Sequence, residues 1–186
     1  EKGLRDGARF ILVTNPNNPT GAVLDDTSMS GIVELADRHE AWILADEVYR
    51  GAELHAPETP SFWGLHDRVL VTNSLSKAYG LPGLRIGWVV GPTEMMEGLW
   101  GRTDYTTIAP ASLSDVLARV ALEPAVRRKI LARTRKILTN NIALLSSWID
   151  TQDDRFSYRP PDAGAICFTR YHPSINSTDF AQTLRT

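Results

Sequence analysis

The chain has 186 residues, 42% hydrophobic and 23% charged, the balance of an ordinary folded protein with a real core. A formal charge of −2 argues against a nucleic-acid or acidic-membrane binder, and no apolar run approaches a membrane span. The single cysteine, Cys167, rules out an internal disulfide, and the four histidines lack metal-ligand spacing, so no metal site is expected.

Short apolar runs rich in β-branched residues alternate with stretches of helical period, which predicts an α/β fold with a mainly parallel sheet. The first strand is expected over residues 9–14. A helix follows in "DDTSMSGIVELADRHE", where Ile32, Val33, Leu35 and Ala36 form one stripe behind Asp and Ser cap candidates. Further strands are expected over residues 41–45, 68–73 and 85–90, each so continuously apolar that burial on both faces is implied.

Beyond Gly91-Pro92 the pattern turns helical, with helices expected over 92–102 and 111–122 around the stretch "DYTTIAP". A long amphipathic helix is expected from Glu123 to about Ile149, carrying Arg127, Arg128, Lys129, Arg133, Arg135 and Lys136. With an acidic net charge, that cationic run reads as a solvated helix face rather than a phosphate footprint. Two strands in "RFSYRP" and "AGAICFTRY" and a helix from near Ser177 complete the reading, with Cys167 as a small buried hydrophobe. The expected division is 1–122 for a large α/β unit and 123–186 for a connecting helix and part of a smaller α+β unit. Both ends read as cuts through a larger fold.

Chemistry-bearing residues cluster at or just after the carboxyl ends of the expected strands, where open parallel sheets gather ligands. In "TNPNNPTG", residues 14–21, Pro19 stiffens Asn18, although the composition alone also makes a plain loop. In "ADEVYR" a nearly buried strand ends on Asp46, with Tyr49 three positions later. A carboxylate there needs a cation, either a side chain of the same protein or a ligand nitrogen. In "SLSKAYGLPGLRIGW" the hydroxyls of Ser74 and Ser76 and the guanidinium of Arg85, at the start of the next strand, suit a phosphate. Lys77 is expected in a buried position beside that guanidinium, as an amine able to form a Schiff base. Together these groups suit one ligand, pyridoxal 5′-phosphate.

With "NPNNPTG", "DEVYR" and "SLSKAYGLPGLRIG" in this order, the chain resembles the fold-type I aminotransferases of class I/II, related to aspartate and aromatic aminotransferases. The resemblance implies a pyridoxal-phosphate enzyme with Lys77 as the Schiff-base lysine and Asp46 as partner of the pyridine nitrogen. It implies Tyr49 and Asn18 at the ring hydroxyl, and Ser74, Ser76 and Arg85 at the phosphate. It further implies amino-acid and 2-keto-acid substrates, a cytoplasmic homodimer with shared active sites, and Tyr105 and Thr107 as candidates for contacts with the partner subunit. The family's ring-stacking aromatic residue and glycine-bearing phosphate loop would precede residue 1, and its carboxylate-binding arginine would follow Thr186. Lyases and cyclases of the same fold share the same lysine, aspartate and arginine, so the motifs fix the cofactor more firmly than the reaction.

Overall fold

The computed structural model describes residues 1–185; Thr186, the end of the expected last helix, lies outside the described residues. A short helix, α1 (Lys2–Arg5), leads into β1 (Phe10–Thr14), α2 (Asp26–Arg38), β2 (Trp42–Asp46), β3 (Val69–Ser74) and β4 (Gly87–Val90). These strands form one sheet in the order β1-β2-β3-β4. The first three run parallel and β4 antiparallel, so the sheet is mixed and mostly parallel.

The parallel pairing of β1 and β2 requires a crossover, and α2 supplies it. The side chain of Asp25 caps α2 by accepting a 2.8 Å bond from the Ser28 N–H. The inner face of α2 buries Met29 and Ala36 against Ile43, Ala45, Phe62, Val69 and Val71. Full burial of a residue such as Ile43 contributes about 1.5–3 kcal/mol. The strands are not buried on both faces as their composition implied. Phe10 and Leu12 of β1 and Val89 of β4 are exposed, because α2 covers only one side of the sheet at these positions.

Helices α3 (Thr93–Thr103), α4 (Ser112–Leu122) and α5 (Pro124–Asp150) follow. Pro124 sits in the first turn of α5, where its missing N–H costs nothing. Ala118 of α4 and Leu131 of α5 close a second core over Ala52, Leu75, Ala78 and Tyr79. The cationic run of α5 is not wholly a solvated face. Arg128, Lys129, Arg133 and Lys136 are exposed, but Arg127 and Arg135 turn inward to protein acceptors. They lie four residues either side of buried Leu131, so helical geometry places them on its face.

The chain ends in a small antiparallel pair, β5 (Phe156–Tyr158) and β6 (Thr169–Tyr171), and α6 (Ser177–Thr183), capped by the Asn176 side chain. Of "AGAICFTRY" only the last three residues are strand. Cys167 is half-buried rather than buried, its Sγ 3.6 Å from the Thr169 hydroxyl. The preceding segment is instead tied to the loops that follow β1 and β2. The N–H groups of Asp162 and Ala163 both donate to the Gly21 carbonyl at 2.9 Å. The N–H of Gly164 donates to the Ala52 carbonyl, and that of Leu54 to the Asp162 carbonyl, each at 2.9 Å.

Candidate active site

Strand register sets the level of the site. Thr14 pairs with Asp46, and Asp46 with Thr72, so three adjoining strands reach the same height together. The Asn15 N–H donates to the Asp46 carbonyl at 3.0 Å and the Glu47 N–H to the Thr72 carbonyl at 2.9 Å. The three motif loops therefore leave the sheet side by side at its carboxyl edge.

Asp46 ends β2 half-buried. Its Oδ1 accepts a 3.2 Å bond from the Val48 N–H, and no cationic group lies within 4 Å of it among the described residues. Tyr49 is 5% exposed, with its ring against Gly164. Burial, and then the nearby charge of Asp46, raise its phenol above the ordinary range, so it remains an O–H donor at neutral pH. No side chain of the described chain bonds the phenol.

Lys77 is exposed rather than buried, because the turn carrying it lies on the rim of the sheet. Its amine makes no hydrogen bond or ion pair among the described residues. The backbone beside it is well held: Ala78 N–H donates to the Val48 carbonyl at 3.3 Å, and Gly80 N–H to the Lys77 carbonyl at 2.9 Å. The first of these bonds joins the Lys77 turn to the Asp46–Tyr49 turn. Ser74 Oγ accepts the Ser76 N–H at 3.2 Å, which leaves its own hydroxyl proton free to donate.

Arg85 does not begin β4. It follows a 3-10 turn, Pro82–Leu84, in the left-handed conformation at φ 53°, and the strand starts at Gly87. Its guanidinium is exposed and donates to the Pro82 carbonyl at 2.8 Å, leaving its other N–H groups available. The left-handed residue reverses the chain so that the Leu75 N–H reaches the Ile86 carbonyl at 3.0 Å. Asn18 is exposed on the loop after β1, its amide without a partner among the described residues, and the Asn18–Pro19 bond is cis. Tyr105 and Thr107 stand exposed between α3 and α4.

The buried and half-buried acids around the site were not legible from the motifs. Glu47 is 2% exposed and accepts from the Ser61 hydroxyl and the Phe62 N–H, both at 2.8 Å. Glu53 accepts the Gly51 and Thr59 N–H groups, the Thr59 hydroxyl and Arg135 Nη2, the last at 2.9 Å. Glu58 takes both oxygens to Arg127 Nη2, at 2.7 and 2.8 Å, and pairs with Arg50 at 3.0 Å. The available signal was the four-residue spacing of Arg127, Leu131 and Arg135 on a helix that must bury one face.

The fold is that of the fold-type I pyridoxal-phosphate transferases, with its motif loops gathered at the carboxyl edge of the sheet. The chain belongs to the family of aminotransferases of class I and II, whose profile matches residues 1–186. It is 32% identical over 182 residues to capreomycidine synthase of Streptomyces vinaceus, covering 97% of this chain and 46% of that protein. It is 34% identical over 117 residues to valine–pyruvate aminotransferase of Mycobacterium tuberculosis, covering 62% of this chain and 30% of that protein. The crystal structure of a PLP-dependent aminotransferase from Streptococcus suis superposes with a TM-score of 0.87 at 37% identity, covering 98% of this chain and 49% of that one. The chain thus spans about half, or less, of the length of these relatives.

Proposed function

We propose that the protein is a pyridoxal-phosphate-dependent aminotransferase moving an amino group between an L-amino acid and a 2-keto acid. One observation carries this reading: Asp46, Tyr49 and Lys77 stand on adjoining turns with no side-chain partner in the described chain. A half-buried carboxylate without a cation suits a protonated ring nitrogen, and a neutral phenol suits the ring oxygen. Asn18 is the second candidate for that oxygen, and Ser74, Ser76 and Arg85 are the candidates for the phosphate.

The bound cofactor supplies the electron sink for negative charge developing at the substrate Cα. Asp46 keeps the ring nitrogen protonated, which strengthens that withdrawal. Lys77 would hold the cofactor covalently through Nζ, and the freed Nζ would carry the proton between the substrate Cα and the cofactor's C4′. The division into a large unit over 1–122 and a connecting helix with a smaller unit over 123–186 belongs to the same reading. So does a homodimer: Leu113, Val116, Leu117 and Val120 leave an apolar stripe of α4 exposed, near Tyr105.

Borohydride reduction of the intact protein with cofactor, followed by peptide mapping, should place the label on Lys77. Amino transfer to a 2-keto acid should disappear in Lys77→Ala. Label elsewhere, or transfer surviving that substitution, would sink the assignment. A second reading, a lyase or cyclase acting through the same residues, is favoured by the similarity to a protein named as a synthase. Ammonia or a cyclised product in place of keto-acid-dependent transfer would establish it.

A further inference from the structure

Helix α5 hydrogen-bonds the segment carrying Lys77 through Arg127. Arg127 Nε donates to the Tyr79 hydroxyl at 2.9 Å, and its Nη2 donates to both oxygens of Glu58. Tyr79 is 3% exposed, two residues after Lys77, with its ring edge-on to Trp88 at 6.4 Å. The Arg127 guanidinium also lies 5.7 Å from the centre of the Tyr79 ring. On the other side, Glu58 pairs with Arg50, whose Nε donates to the Thr59 carbonyl at 2.7 Å. Arg50 directly follows Tyr49 in the turn that Asp46 begins.

We propose that Arg127 is a positioning residue, holding the Lys77 turn and the Asp46–Tyr49 turn in one frame. This rests on the reading of Lys77 as the cofactor-binding lysine. Beyond the paired ends of β2 and β3, the backbone bond between the two turns among the described residues is the one from Ala78 N–H to the Val48 carbonyl, at 3.3 Å. The planar fork of Arg127 spans both at once: its Nε is fixed to a phenol of the lysine turn, its Nη2 to a carboxylate tied to the second turn. A lysine at 127 would offer a single point charge and could not bond both partners with the same geometry. Nζ of Lys77 must serve twice, first as covalent anchor and then as proton carrier, so a small misplacement of its turn acts on rate more than on substrate affinity.

The test uses the intact protein with its cofactor and the variants Arg127→Met, Arg127→Lys and Tyr79→Phe. Each is read three ways: the borohydride-trapped label on Lys77, the pH midpoint of the visible band of the lysine-bound cofactor, and kcat with KM. The expected result is a label on Lys77 throughout, a displaced band midpoint in Arg127→Met, and kcat about tenfold lower with KM little changed. Arg127→Lys should restore part of the loss. Tyr79→Phe keeps the ring packed on Trp88 and removes only the acceptor, so it should move the same quantities in the same direction. It also decides the matter if Arg127→Met fails to fold. A band midpoint and kcat unchanged in folded variants, with only the melting temperature lowered, would leave Arg127 a structural residue and overturn the proposal. Wild-type protein unlabelled at Lys77 would instead overturn the functional reading, and this proposal with it.

Discussion

Gly164 lies against the ring of Tyr49, and a Cβ built on it would meet Cδ1 of that ring at 3.3 Å. Its φ of +84° is in the left-handed region, so glycine is required there by conformation as well as by space. The second segment of the chain is thereby fitted directly under a side chain of the candidate site.

Gly164→Ala should lower stability by about 1–3 kcal/mol and displace the Tyr49 ring. Gly21→Ala should cost more, since its Cβ would sit 2.4 Å from Pro161 Cβ and 2.7 Å from the Ala163 carbonyl oxygen. Urea unfolding checks the order; equal midpoints for both variants and the wild type would contradict it.

Among the described residues, Arg135 is the only cation bonded to Glu53, a carboxylate fully buried at its side chain. Arg135→Met leaves that charge without a cation, although Gly51 and Thr59 still donate to it. The expected loss is about 3 kcal/mol. Glu53→Gln combined with Arg135→Met should recover part of it, as seen in melting temperatures. If the double variant is as unstable as the sum of the two single ones, charge burial is not the cause.

Glu47 gives a pH signature. Burial raises its carboxyl above the ordinary value, opposed in part by the Phe62 N–H, the Ser61 hydroxyl and Arg50. The folded protein then holds this proton to higher pH than the unfolded chain does. Stability contributed at this site therefore falls as pH rises from the ordinary carboxylate range through the raised folded value. Both accepted bonds fall on Oε1, so Glu47→Gln preserves them. Its stability relative to wild type should increase as pH rises above the ordinary carboxylate range. A difference constant with pH would show that Glu47 does not titrate as argued.

Asp46→Asn should lower kcat about 10²–10³-fold with a smaller effect on KM, because the ring nitrogen loses its charged partner. Tyr49→Phe removes one donor and should cost about tenfold. Steady-state kinetics with the cofactor saturating separate the two; an Asp46→Asn enzyme within twofold of wild type would remove Asp46 from the proposed chemistry.

Much of the frame was legible because its signals are local. β1, β2 and β3 each fall within one residue of their expected spans, since an apolar β-branched run bounded by turn residues has little other use. The start of β4 was misplaced because Arg85 looks like a strand residue until Pro82–Leu84 forms a 3-10 turn and forces it left-handed. "AGAICF" reads as strand by composition, yet its partners are carbonyls and N–H groups of loops more than 100 residues earlier. No periodicity within the segment encodes that.

The sequence by itself determined the α/β alternation and the three motif loops, and with them the family. Those depend on short-range period, turn chemistry and residue identity. Only the tertiary structure decided that Asp46 has no cation beside it among the described residues and that Lys77 stands exposed. It also decided that Arg127 and Arg135 leave the solvated face of α5 for Tyr79, Glu58 and Glu53. The physical reason is separation along the chain: a buried charge takes its partner from whatever segment the packing brings within 3 Å, here 48, 69 and 82 residues away.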